Sequence, residues 1–192
     1  MRGTVAWLIW TAGASEPQPS PRPSALRSEV LGAVKGWRLE SRCSPHACTP
    51  VLVSLAKEGS DAALPLVASD RPWAVDGVEL KSLERVDLDG DAQPEVKVVW
   101  RSIGTPRAAL GSWHRDLVTV LDGRSGALRL HVETGSAGGA SERHCTGTLT
   151  FQSAGAILVQ QCQLGACVLG GARPGECEAG PETLTQRVLW ID

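Results

Sequence analysis

Short runs of apolar residues that alternate with polar ones constrain the fold of this chain most strongly. Alternation with a period of two places apolar side chains on one face of a β-strand. The predicted strands are Val34–Glu40, Pro50–Ala56, Leu80–Asp87, Glu95–Arg101, Asp116–Leu121, Ala127–Glu133, Gly147–Phe151, Ala156–Cys162 and Thr183–Ile191. Only Ser24–Ala33, with loosely periodic apolar residues, could form a short helix instead. Frequent strands without intervening helices predict a mainly β fold, an antiparallel sandwich or barrel.

Turn-forming residues separate these runs. The turn signals are Asp76-Gly77, Asp89-Gly90, Asp122-Gly123, Gly138-Gly139 and Pro174-Gly175. In Leu117–Leu130 the turn Asp-Gly-Arg-Ser-Gly joins two alternating runs, which predicts a hairpin. Two stretches, Gly104–Gly111 and Gly135–Arg143, are predicted to be long loops, where function usually lies on a β scaffold.

The composition is that of an ordinary globular protein. Of the 192 residues, 42% are hydrophobic and 21% are charged, a balance that excludes a disordered chain. The formal net charge of −2 provides no basic field for binding nucleic acid. The 21 glycines and 12 prolines favour short strands and many turns. We therefore predict one β-rich domain over residues 25–192.

The first 24 residues read as an export signal followed by a tether. In residues 1–14, Arg2 precedes a short apolar run, and a small-residue cleavage pattern ends at Ala14. Residues 15–24 carry proline at every second position, which favours an extended linker. No stretch of the sequence has the apolar length that a membrane span needs. The chain is therefore predicted to be secreted, periplasmic or at the cell surface.

The six cysteines predict three disulfides, because an even number in an exported chain is typical of a disulfide framework. The spacing favours local bridges that close a short loop, a facing strand pair and a glycine-rich loop. The predicted pairs are Cys43–Cys48, Cys145–Cys162 and Cys167–Cys177. The alternative is a zinc site, for which the sequence offers Cys43, His46, Cys48, His144 and Cys145.

A cluster of carboxylates between two predicted strands is the one motif with chemical content. The candidate ligands are the carboxylates of Asp87, Asp89, Asp91 and Glu95 and the backbone carbonyl of Gln93. Carboxylates this close repel one another unless a cation lies among them, and calcium prefers such oxygen ligands. Val98 stands where a helix–loop–helix calcium site has a bidentate Glu, so the spacing predicts a strand–loop–strand variant.

The motif Asp-Leu-Asp-Gly-Asp-x-x-Pro-Glu, followed by an alternating strand, resembles the calcium loop of FG-GAP/VCBS repeats in extracellular β-propellers and adhesion-type proteins. The resemblance implies that Asp87, Asp89, Asp91 and Glu95 ligate calcium. It covers about 15 residues in a single degenerate copy, whereas a propeller needs several blades. Ala92 replaces the usual glycine, and a positive φ would strain an alanine. The alternative is an acidic, solvated turn chosen for its geometry alone.

These features predict a binding or structural module with a structural calcium ion and an unknown protein or glycan partner. The alternative is a secreted enzyme whose active site lies on the long loops. No nucleophile elbow, zinc-protease helix, phosphate loop or dinucleotide fingerprint appears, so no catalytic residue is predicted. Ser112 near His114 is sequence adjacency rather than triad geometry. Trp73 and Trp113 could stack on sugars, although core packing is the commoner role of such residues.

Overall fold

The structure is a computed structural model. It describes residues 26–45, 47–55, 63–65, 75–104, 113–138, 143–171, 173, 177–178 and 180–191. The predicted signal peptide (1–14) and linker (15–24) lie outside these residues. The same is true of His46, Trp73 and Ser112, and of the predicted loop at 104–111 apart from its first residue.

Strands make up most of the described part of the chain. The first four are β1 (Arg27–Val34), β2 (Trp37–Cys43), β3 (Cys48–Ser54) and β4 (Ala63–Pro65). The next seven are β5 (Gly77–Val86), β6 (Glu95–Gly104), β7 (Trp113–Leu121), β8 (Leu128–Ala137), β9 (Arg143–Gln152), β10 (Gly155–Leu164) and β11 (Glu182–Leu189). The helix α1 (Gly165–Leu169) has five residues. Within the described ranges, no helix has the length and apolar character that crossing a membrane requires.

The strands form two antiparallel sheets in which chain neighbours are also sheet neighbours. Strands β1 to β4 form a four-stranded sheet, and β5 to β11 form a seven-stranded sheet. Consecutive antiparallel strands need only short turns between them, which explains the spacing of turn signals in the sequence. The hairpin predicted within Leu117–Leu130 is confirmed, because β7 pairs with β8.

A core of apolar side chains joins the two sheets. Trp37 and Leu39 of β2 pack in one buried cluster with Val98 and Trp100 of β6 and Leu117 of β7. Each of these side chains is at most 4% exposed. Face-to-face packing of two antiparallel sheets is a sandwich arrangement. The predicted mainly β, sandwich-like fold is confirmed.

The other face of the seven-stranded sheet carries a second buried cluster. Val118 and Val120 of β7 cluster with Leu130 of β8 and Ala156 of β10, and further apolar side chains of β9 and β11 surround them. Strand β7 thus contributes to two cores, since alternate residues of a strand face opposite sides of its sheet. Trp190, which follows β11, packs against this second core, and the neighbouring Ile191 amide donates a hydrogen bond to Arg129 near the start of β8.

The helix predicted at Ser24–Ala33 is wrong, because Arg27–Val34 form strand β1. Strand β1 pairs with β2 through a tight turn that ends at Gly36, whose φ of 84° glycine tolerates without strain. The glycine at position 32 and the β-branched valines of this segment disfavour a helix, and pairing with β2 decides the outcome. The predicted strand Val34–Glu40 contains this turn and is divided between β1 and β2.

The predicted long loop at Gly135–Arg143 is also shorter than expected. Strand β8 continues to Ala137, and β9 begins at Arg143. A Cβ added at Gly135 would lie 2.9 Å from the carbonyl oxygen of Cys145. The small residues that suggested a loop therefore permit β8 and β9 to approach each other closely.

The three predicted disulfides are confirmed. They are Cys43–Cys48, Cys145–Cys162 and Cys167–Cys177. The zinc alternative fails for Cys43, Cys48 and Cys145, since a disulfide-bonded sulfur is not a thiolate ligand. Three disulfides indicate an oxidising or extracellular compartment.

Candidate metal centre

The carboxylates of the loop between β5 and β6 fold that loop by accepting hydrogen bonds from its own amides. Asp87 accepts from the amides of Gly90 and Ala92 at 2.7 and 3.0 Å. Asp89 accepts a 3.1 Å hydrogen bond from the Asp91 amide, and Asp91 accepts a 2.7 Å hydrogen bond from the Gln93 amide. Aspartates favour such turns because the short side chain reaches the backbone two residues on. The motif therefore specifies its own local conformation.

Three of the predicted ligands converge on one point. Single carboxylate oxygens of Asp87, Asp89 and Glu95 lie within 4.8 Å of one another. Asp91 is exposed and lies outside this trio, and so does Gln93, whose amide donates to Asp91. The structure thus brings together the first two predicted ligands, Asp87 and Asp89, and the last, Glu95. Glu95 is the first residue of β6.

Glu95 is the buried member of the trio. Its side chain is 3% exposed, and one carboxylate oxygen accepts a 2.8 Å hydrogen bond from the Leu88 amide. Burial is the largest influence and raises the pKa of Glu95, and the Asp89 carboxylate raises it further. The Leu88 amide and Arg129 act in the opposite direction without cancelling the rise. A carboxylate held in such a place gains from a nearby cation.

Arg129 supplies part of that positive charge, although no local sequence pattern marks it as a site residue. One guanidinium nitrogen lies 3.1 Å from a carboxylate oxygen of Asp89, and another lies 3.7 Å from Glu95. The guanidinium carbon also lies 5.4 Å from the ring centroid of Trp190, within the range of a cation–π contact. Arg129 therefore connects the acidic loop, β8 and the segment that follows β11.

A β-bulge explains why Arg129 reaches the loop. Leu128 pairs with Leu121 and Leu130 pairs with Val120, so Arg129 is an extra residue opposite β7. A bulge re-aims a side chain relative to the regular alternation of the strand. The backbone carbonyl of Arg129 in turn accepts a 2.7 Å hydrogen bond from the Ile191 amide.

Comparisons of the chain with protein-family models, with curated proteins and with solved structures found no match. The candidate centre is therefore identified from the chemistry of its own residues. Three carboxylates within reach of one another carry three negative charges, whereas Arg129 contributes one positive charge. Hard oxygen donors in a loop of this kind fit calcium better than zinc or copper, which prefer nitrogen and sulfur ligands.

The residues named as other candidates form no second site within the described ranges. Trp113 is half-buried, its indole lies against Gly104, and the guanidinium carbon of Arg115 is 5.5 Å from its ring centroid. It joins neither buried core cluster. His144 contacts the carbonyl oxygen of Gly138 at 2.7 Å, a local contact between the ends of β8 and β9.

Ala92→Gly is expected to raise the free energy of unfolding by about 1 kcal/mol. Ala92 has a φ of 64°, a left-handed conformation that strains a residue with a Cβ by about 1–2 kcal/mol. Glycine removes that strain at a smaller cost in chain entropy. Urea unfolding measures the change. Ala127→Gly, at an exposed position without positive φ, is the matched control and should lower stability. Equal losses in both variants would contradict the argument.

Proposed function

We propose that this protein is an exported, disulfide-stabilised β domain whose Asp87–Glu95 loop binds a structural calcium ion. The convergence of the Asp87, Asp89 and Glu95 oxygens within 4.8 Å carries the proposal. In the absence of a metal, Arg129 is the one cationic side chain among the described residues that pairs with the three carboxylates of the trio. A calcium ion would relieve this repulsion and fix the loop between β5 and β6.

The sequence motif and the loop geometry both support calcium as the ion. The motif resembles the calcium loops of FG-GAP/VCBS repeats, and the positive φ of Ala92 occurs where those repeats usually have glycine. Asp91 and the Gln93 carbonyl remain predicted ligands that complete the set, since calcium takes six to eight oxygens. Water supplies the remaining positions in many such sites.

The role that follows is that of a binding or structural module outside the cytoplasm. Disulfides support export, because they persist in oxidising compartments. An ordered loop at the end of a rigid sandwich is a surface on which a protein or glycan partner can bind. The ion would then act by holding that surface in one conformation, without taking part in a reaction.

Thermal unfolding of the oxidised protein in calcium and in chelator tests the proposal. At a calcium concentration 100 times the Kd, binding to the folded state adds about 2.7 kcal/mol. For a chain of this size we expect the midpoint to rise by about 5–10 °C. Asp89→Ala should abolish the rise, because it removes one of the three converging carboxylates.

Two controls make the outcome decisive. Glu29→Gln removes one exposed negative charge far along the chain from the loop and should keep the calcium response. Magnesium at the same concentration should give a smaller rise, because it favours a compact octahedral shell and loses water reluctantly. The proposal is wrong if calcium leaves the midpoint unchanged, or if Asp89→Ala responds as the unsubstituted protein does.

A further inference from the structure

A second feature at the same end of the sandwich is a small open cavity of about 120 Å³. Arg85 at the end of β5 lines one side, and Arg124 in the β7–β8 turn lines another. Loop residues 92–94 and the pair Asp122 and Gly123 complete the wall. The cavity is thus distinct from the carboxylate trio, although the same loop borders both.

The two arginines of this cavity have no carboxylate partner among the described residues. Arg85 donates a single long hydrogen bond, 3.5 Å, to the Lys35 carbonyl oxygen, and Arg124 forms no ion pair within that part of the chain. Six other arginines each pair with a carboxylate, namely Arg38, Arg42, Arg101, Arg115, Arg129 and Arg143. Two arginines without a carboxylate partner therefore line one small cavity and form a local positive site in a chain of net charge −2.

The one carboxylate in the cavity wall is already engaged by its own turn. Asp122 accepts hydrogen bonds from the Arg124 amide, the Ser125 amide and the Ser125 hydroxyl at 3.0, 2.6 and 2.7 Å. The Ser125 donors lower the pKa of Asp122. Its charge therefore stabilises the turn and does not form an ion pair with either guanidinium group.

The cavity wall is held in place by close packing. A Cβ at Gly123 would overlap the carbonyl oxygen of Pro94, so only glycine lets the turn lie against the loop. The Gly123 carbonyl also accepts a 3.2 Å hydrogen bond from the indole of Trp37. A terminal nitrogen of Arg85 lies 3.2 Å from the position that this Cβ would take. Both arginines therefore extend from a fixed backbone, which reduces the entropy lost when a ligand binds.

We propose that this cavity binds a small oxyanion group, either tetrahedral as in sulfate and phosphate or planar as in a carboxylate. The guanidinium fork presents paired N–H donors that match the oxygens of such a group. Gln93 lines the loop side of the cavity, and its side-chain amide carries two N–H donors. The site needs no metal and goes beyond the proposed role of the calcium loop.

Nuclear magnetic resonance titration of the uniformly ¹⁵N-labelled full chain tests this site. Sodium sulfate, sodium phosphate and sodium acetate are added separately to calcium-free buffer at constant ionic strength. We expect saturable shifts of the Gly123 and Arg124 amide signals, with a Kd on the order of millimolar. The sulfate and phosphate titrations distinguish a tetrahedral ligand from the planar carboxylate of acetate.

Matched arginine variants decide whether the two guanidinium groups carry the binding. The double variant Arg85→Gln/Arg124→Gln should weaken it at least about tenfold. Arg187→Gln removes another exposed arginine, on β11, and should leave it unchanged. The unsubstituted protein's own spectrum gives a result even if the double variant folds poorly. Shifts that rise linearly for every anion, or that survive in the double variant, overturn the proposal.

Discussion

Cys145→Ala together with Cys162→Ala is expected to lower the free energy of unfolding by about 3 kcal/mol. The two cysteines are 17 residues apart and pair directly across β9 and β10. Removing a bridge of this loop size restores about 3 kcal/mol of chain entropy to the unfolded state. Cys162 is 4% exposed, so alanine is chosen rather than serine, whose hydroxyl would be buried without a hydrogen-bond partner. The midpoint of urea unfolding should fall, and the slope should rise somewhat, because the unfolded chain without the bridge exposes more surface.

The Cys167–Cys177 bridge provides the matched control. Its cysteines are 10 residues apart, so the loop-entropy estimate for this bridge is similar. This bridge anchors α1, however, and the α1 residues Val168 and Leu169 are 52% and 61% exposed. This segment can separate without disturbing either core, so its loss should mainly increase local proteolysis. Equal losses of global stability in the two double variants would contradict this distinction.

Features that depend on nearby residues could be predicted from the sequence. The Leu117–Leu130 hairpin and all three disulfides join residues at most 17 positions apart, and the turn between them limits the possible pairings. The acidic loop belongs to the same class, since its aspartates form hydrogen bonds two to five residues away. Short separation leaves few competing conformations, so pattern and turn chemistry suffice.

Features that depend on distant partners could not be predicted in this way. Strand β1 has loosely helix-like spacing, and its pairing with β2 and its position against β5 decide that it forms a strand. The small residues at 135–137 predict a loop, because the local sequence does not show that β9 packs closely against them. Arg129 lies 40 positions after Asp89, and the bulge that directs it toward the loop leaves no mark in the alternation.

The cavity of Arg85 and Arg124 illustrates the same limit. The two arginines lie 39 positions apart in sequence and meet because the turn at Gly123 lies against Pro94. Single exposed arginines are ordinary surface residues, so neither was a candidate site residue in the sequence. Within the described residues they have no carboxylate partner, whereas most of the other arginines do. Sequence alone does not show which arginines form ion pairs.

Arg129→Gln is expected to destabilise the calcium-free protein and to tighten calcium binding, so that calcium offsets most of the lost stability. Without calcium, the variant should lose about 2 kcal/mol of unfolding free energy, because the buried Glu95 and the Asp89 carboxylate lose their cation. The cation–π contact with Trp190 is lost as well. Calcium would occupy the same carboxylate oxygens that Arg129 contacts. Removing the competing guanidinium should therefore tighten calcium binding about tenfold.

Arg101→Gln is the matched control for this experiment. Arg101 forms two hydrogen bonds with Asp116, at 2.7 and 2.9 Å, away from the acidic loop. Its replacement should lower stability equally with and without calcium and leave the calcium Kd unchanged. Urea unfolding in chelator and in calcium measures the stabilities, and calorimetric titration measures the Kd. A loss of stability in Arg129→Gln that calcium does not reduce would show that the arginine, rather than a metal, is the resident cation of this loop.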